Sequence, residues 1–366
     1  MNVAGVQRRT IWPGEGGDAV FVIDQRELPH RWSVARLDKP DQVFDAIATM
    51  VVRGAPLIGV TAAYGMALQC LVDPTDAALT SAAVKLISAR PTAVNLAWAT
   101  QRMLGQLLGE PLARRRERAF ALAGAMAEED VAINAAIGAH GLAVLRALPR
   151  RSGRTRLNLL THCNAGWLAT VDWGTALAPV YAAQAAGLDV HVWVDETRPR
   201  NQGASLTAWE LGQAGVSHTV VADNAGGHLM QHGEVDAVIV GADRVSAQGD
   251  VCNKIGTYLK ALAAADNGIP FYAAVPMSTL DRSVRDALRE IPIEERSARE
   301  VTHIAGVDAQ GTPREVSIVP TGTTARNPAF DVTPARLVTA LITERGAVAA
   351  SFDSLRAIAG EEAVDA

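Results

Sequence analysis

RLNLLTHCNAG, residues 156–166, joins a short apolar run to a polar turn ending in glycine, and its reading decides the fold. Residues 156–160 are flat in hydrophobicity rather than alternating, the pattern of a strand buried on both faces of a parallel sheet. The same texture returns at residues 189–194, 217–221, 237–240 and 271–275. Between these runs lie segments of crossover-helix length, at residues 175–186, 205–213, 226–232 and 254–266. Strands that alternate with helices predict an α/β domain, a Rossmann-like doubly wound parallel sheet.

Upstream, the texture changes at PRRSGR, residues 149–154, which is polar and basic and carries both Pro and Gly. It reads as a linker over residues 149–156, between a mainly α-helical N-terminal domain (1–148) and a Rossmann-like catalytic domain (157–366). A basic run can touch nucleic acid, but one this short fits a solvated linker better. Ala-rich stretches at residues 42–52, 56–72, 76–88, 94–108 and 111–148 carry helix formers with few strand signals. The N-terminal domain starts with a small β-hairpin, β-prone at residues 10–12 and 19–24 around the turn-rich PGEGG of residues 13–17. The tail, residues 361–366, is expected to fray.

Bulk properties narrow the partners. At 366 residues the chain has room for two cores. Its net charge of -5 gives no general field for nucleic acid or an anionic membrane, so neither is expected as a partner, and a small molecule is. Three cysteines, Cys70, Cys163 and Cys252, leave an odd thiol, which fits a reducing, cytoplasmic setting rather than a disulfide scaffold. The first residues have no apolar core of signal-peptide length. Residues 54–72 lack charge and are nearly long enough to cross a bilayer, but Pro56, Gly59, Thr61, Gly65 and Gln69 interrupt them; a buried helix is expected.

In an open parallel sheet, ligands bind beyond the carboxyl ends of the strands. The residues that follow the apolar runs are polar and specific: THCN at 161–164, DETR at 195–198, Asp223-Asn224, and GADR at 241–244. Cys163 sits where a helix would begin, and helix-start amides favour thiolate; it reads equally well as a small buried hydrophobe. Asp243 ends a strongly apolar strand, where burial raises a carboxyl pKa and suits a general acid, or where an ion pair or cap would serve as well. Arg53-Gly54-Ala55-Pro56 places a cation and flexible backbone before a helix, a natural anion site, and Asn253-Lys254 reads as the opening of another helix. With Arg198, these suggest one phosphate-bearing ligand. No GxGxxG or GxxxxGK[ST] phosphate loop, HExxH or paired CxxC occurs, so no cofactor and no metal is expected. His228 and His232 are spaced for one helix face but lack a third ligand.

Taken together, RGAPLIG (53–59), RPTAVNL (90–96), THCNAG (161–166), DETRPRNQGASLTAWEL (195–211), GADRVSAQGDVCNKIGT (241–257), IPIEER (291–296) and NPAFDVTP (327–334) closely resemble the methylthioribose-1-phosphate isomerases. That family is similar in fold to the regulatory subunits of the eukaryotic initiation-factor nucleotide-exchange complex. The resemblance implies a homodimeric aldose–ketose isomerase acting on a sugar phosphate, with Asp243 as proton donor and Cys163 assisting. It also implies a substrate site lined by Arg53, Gly54, Ala55, Arg90, Gln202, Asn253 and Lys254. Ser205, where many relatives carry a basic residue, and Ala165 are mild departures, and Ser205 leaves the substrate choice open.

Overall fold

The computed structural model describes residues 1–90, 93–150 and 153–360. Pro91 and Thr92 of the RPTAVNL motif, Arg151 and Ser152 of the expected linker, and the tail at 361–366 expected to fray lie outside the described residues.

Five helices build the N-terminal part: α1 (Pro40–Ala48), α2 (Ala55–Val72), α3 (Asp76–Ser88), α4 (Val94–Leu108) and α5 (Leu112–Ala147). Because α2 has no polar stripe, it can leave water only by being surrounded, and the other four helices all pack on it. The buried Thr61 hydroxyl donates to the Leu57 carbonyl at 2.7 Å, one turn back, so it is not stranded in that core. Among the described residues α2 is the one helix long and apolar enough to cross a membrane, and 78% of it is buried inside the protein. α1 stops short of the expected residue 52, because Met50 takes a φ of 63° and turns the chain toward Arg53. The opening hairpin pairs Ile11–Pro13 with Val20–Ile23 and gains a third strand, Val34–Leu37, that the sequence reading did not anticipate.

The main sheet has seven strands, in the order Gly346–Val348, Ala340–Thr343, Phe271–Ala274, Ala237–Val240, Leu157–Thr161, Val190–Asp195, Ser217–Val221. Six run parallel, and the edge strand Gly346–Val348 is antiparallel. In chain order the parallel strands lie 3-2-1-4-5-6, the doubly wound arrangement, so the direction of winding reverses between Leu157–Thr161 and Ala237–Val240. Alternate side chains enter two cores: Leu157, Leu159 and Ile239 pack on one face, and Leu160, Val238 and Val240 on the other. α5 joins the halves. Its Ala119 and Ala123 belong to the helical core, while Ile137 and Leu145 pack in the core on one face of the sheet.

A second sheet has four short strands, in the order Leu280–Asp281, Arg244–Ser246, Val251–Lys254, Phe330–Thr333. It corrects one reading: Asn253 and Lys254 end a strand, and the helix they were expected to open starts at Thr257, after Gly256. The unexpected ribbon His303–Val307 with Pro313–Ser317 is largely exposed.

Candidate active site

The chain leaves strand Leu157–Thr161 at the winding reversal and turns sharply at Cys163, whose φ is 67°. Such a conformation is uncommon for a residue with a Cβ, and two hydroxyls fix it. The Cys163 amide donates to Thr197 Oγ1 at 2.8 Å, and the Thr207 hydroxyl donates to the Cys163 carbonyl at 2.7 Å. The thiol donates to Gln202 Oε1 at 3.3 Å. No long helix starts here. A single turn, Trp167–Ala169, follows, so the expected thiolate-favouring helix start is absent. Burial dominates instead and pushes the Cys163 thiol up, against the pull of Arg53 and Lys254.

Across the reversal, Asp243 follows strand Ala237–Val240. Its amide donates to the Cys252 carbonyl at 2.9 Å, which closes the hairpin that sets Arg244 opposite Cys252. The next pairing sets Lys254 opposite Phe330, with the ammonium 4.5 Å from the ring centre. Asn253 Nδ2 donates to Thr257 Oγ1 at 3.0 Å, and the Thr257 hydroxyl donates to the Lys254 carbonyl at 2.7 Å. Burial pushes the Asp243 carboxyl up, opposed by Lys254, Arg90 and Arg53.

The start of α2 completes the wall. Gly54, at φ 93°, lies so close to the turn after Cys163 that a Cβ would sit 2.5 Å from the Ala169 Cα and carbonyl oxygen, so only glycine lets the helix dock there. The Arg53 guanidinium donates to both the side-chain oxygen and the carbonyl of Asn164. Arg90, just after α3, sits 3.7 Å from Glu294. Arg53, Arg90 and Lys254 are all buried in the wall of the cavity, and that burial lowers the pKa of each, opposed by Cys163 and Asp243 at Lys254 and by Glu294 at Arg90.

The nine site residues that the resemblance implies, Arg53, Gly54, Ala55, Arg90, Cys163, Gln202, Asp243, Asn253 and Lys254, all line this one cavity. Met50, Asn164, Ala165, Ala169, Pro276 and Phe330 line it too; Asn164 and Ala165 were noted only as neighbours of the cysteine, and none of the six was expected as a site residue. Pro276 follows a strand carboxyl end and was within reach of the same rule. A larger open cleft of about 970 Å³ adjoins it and shares Met50, Arg53 and Gln202; Ser205 lines that approach instead of the cavity.

Other expected cations point elsewhere. Arg198 donates to the carbonyls of Pro199, Glu300 and Val301, and Arg244 pairs with Asp281 at 3.0 Å. The exposed His228 and His232 rings lie 4.1 Å apart, tilted by 43°. His162, Asp195 and Asp223 bring ligand atoms within 4.8 Å of one another. That cluster already holds a cation, since the Lys260 ammonium lies 3.2 Å from Asp195, and both Asp223 oxygens accept backbone amides, from Thr197 and Arg198.

Comparison with known proteins places this geometry. The model of the Initiation factor 2 subunit family matches residues 51–350. Methylthioribose-1-phosphate isomerase of Rhodospirillum rubrum is 60% identical over 99% of this chain and 94% of its own length. The Methylobacterium nodulans protein of the same name is 61% identical over 97% of each. Among solved structures, 5-methylthioribose 1-phosphate isomerase from Pyrococcus horikoshii superposes with a TM-score of 0.81 at 39% identity, covering 96% of both chains. The delta subunit of translation initiation factor eIF-2B from A. fulgidus gives 0.76 at 40% identity, covering 94% of this chain and 96% of that one. With relatives this similar along nearly its whole length, the chain belongs to the methylthioribose-1-phosphate isomerases of the Initiation factor 2 subunit family.

Proposed function

We propose that the protein is an aldose–ketose isomerase that converts 5-methylthioribose 1-phosphate to 5-methylthioribulose 1-phosphate, a step of methionine salvage. The observation that carries this reading is the meeting of Cys163, Asp243 and three buried cations in one cavity at the winding reversal. Phosphate on the anomeric oxygen blocks spontaneous ring opening, so the ring oxygen needs a proton while the phosphate is held. Arg53, Arg90 and Lys254 grip the phosphate. Asp243, whose pKa burial raises, gives a proton to the ring oxygen as the bond to C1 breaks. The hydrogen on C2 then moves to C1, and loss of the 2-hydroxyl proton, returned to Asp243, leaves the C2 carbonyl.

A thiol that burial keeps protonated, in a cavity shielded from water, supports direct transfer of that hydrogen over base abstraction. In deuterated water the C2 hydrogen is then retained, and solvent deuterium in the product would reverse this assignment. Met50, Ala165, Ala169, Pro276 and Phe330 give the cavity apolar wall beside its cations, which supports a small apolar 5-substituent. Turnover of 5-methylthioribose 1-phosphate, 5-deoxyribose 1-phosphate and ribose 1,5-bisphosphate side by side tests the reading, with the first expected to lead. The similarity to an initiation-factor subunit favours a second reading, a non-catalytic sugar-phosphate or nucleotide sensor; binding of the sugar without conversion would select it. A homodimer working in the cytoplasm accompanies the isomerase reading, and sedimentation of the purified protein checks the dimer.

A further inference from the structure

Glu210 lies outside the cavity, yet four donors converge on its carboxylate. It sits on helix Ala208–Gln213 with no exposed surface. Oε1 accepts from Asn164 Nδ2 at 2.7 Å and the Leu168 amide at 3.1 Å. Oε2 accepts from the Trp167 amide and the Tyr181 hydroxyl, both at 2.9 Å. The loop wraps so tightly that a Cβ on Gly166 would fall 1.9 Å from Oε2. Two backbone amides and an amide NH₂ can only donate, so the ionised carboxylate is the form that keeps every bond.

The consequence runs to Arg53. A carboxylate admits only the NH₂ end of Asn164, and the amide oxygen must therefore face the other way, where it accepts from the Arg53 guanidinium. The Thr207 hydroxyl accepts from the same NH₂ at 3.1 Å and reinforces the choice. We propose that Glu210 is a positioning residue for the phosphate grip: it fixes which way Asn164 points, and Asn164 holds Arg53 in place for the anion. The role of that anion rests on the isomerase reading, but the test needs no turnover. Burial raises the Glu210 carboxyl to about 7. Tyr181 and Arg53 are the titratable or charged groups that face it.

The probe is inorganic sulfate, a phosphate stand-in of constant charge across the neutral range, titrated calorimetrically into the whole protein. Arg53→Lys defines the signal by weakening sulfate. Glu210→Met, a near-isostere that takes the acceptor away from the Asn164 NH₂, is expected to weaken it at least about ten-fold, as when one hydrogen bond to a charged group is lost. The double variant should bind no more weakly than Arg53→Lys alone, because Glu210 acts only through Arg53. A folded Glu210→Met protein with undiminished sulfate affinity, or additive losses in the double variant, overturns the proposal. Should Glu210→Met not fold, Tyr181→Phe decides. Removing one donor raises the carboxyl pKa further, so sulfate affinity must begin to fall at a higher pH on acidification, and an unmoved profile overturns the proposal. Absence of turnover on any sugar would remove the isomerase function while leaving these sulfate results to stand on their own.

Discussion

The two walls of the cavity are held in different ways. Cys163 and Asn164 stand on a turn fixed by side chains from elsewhere: Thr197, Thr207 and Glu210 supply its hydrogen bonds. Asp243, Asn253 and Lys254 stand on backbone that pairs with backbone, from the Asp243 amide on Cys252 through the register of Val251–Lys254 against Phe330–Thr333. Each wall also has a buried threonine in the same role, Thr207 under Cys163 and Thr257 under Lys254. A turn wired by side chains can be loosened by a single substitution, whereas a strand keeps its ladder when one hydroxyl is lost. The thiol side should therefore be the fragile one.

The largest effects should come from the reacting groups and should not separate the walls. Cys163→Ala and Asp243→Asn are each expected to lower kcat at least about 100-fold, the lower end for a positioned acid or base, with thermal melting near that of the wild type. Near-normal turnover in either purified variant would remove that residue from the mechanism.

The comparison itself is tested by the matched threonines. Thr207→Val strips the donor to the Cys163 carbonyl and the acceptor for Asn164; Thr257→Val strips the equivalent pair under Lys254 and Asn253. Both leave buried groups unpaired and should cost stability similarly, about 1–3 kcal/mol by denaturant melting. Activity should part them. We expect about ten-fold lower kcat/KM for Thr207→Val, the equivalent of about 1.4 kcal/mol in transition-state binding, and a clearly smaller loss for Thr257→Val. Equal losses would show that the ladder gives no protection.

This difference also explains what the sequence disclosed. Cys163 and Asp243 were legible because apolar runs mark buried strands, and the residues just beyond them lie on the ligand side of a doubly wound sheet. Asn253 and Lys254 were found as lining residues through the resemblance but misassigned to a helix. Val251–Lys254 has only four residues, and the strand it pairs with arrives nearly 80 positions later, at Phe330–Thr333. Glu210 gave no local sign, since an acid in a helical segment ordinarily reads as a solvated face. It is buried by a loop more than 40 positions upstream in the chain, through pairing no periodicity records. Glu294 beside Arg90 was likewise invisible as one of two adjacent glutamates in IPIEER.

The smallest expected effect concerns the acids behind each wall. Glu210 supports the turn, with a carboxyl raised by burial to about 7; Asp331 supports the ladder side, accepting the Gly256 and Tyr258 amides, with a carboxyl raised by burial to about 6. Both bind a proton more tightly folded than unfolded, where their ordinary values are 4.5 and 3.8. Each therefore adds stability that is complete below the unfolded value and disappears as pH rises through the folded one. The wild-type melting temperature should fall by a few degrees from acid toward neutral pH. Asp331→Asn should remove the part of that fall that ends near 6, and Glu210→Gln the part that continues to about 7, where Asp130 on α5, raised by burial to about the same value, keeps a share. Calorimetric melting across this range checks the order. If both variants flatten the same window, the two walls do not titrate through separate acids, and the contrast between them would then rest on the threonines alone.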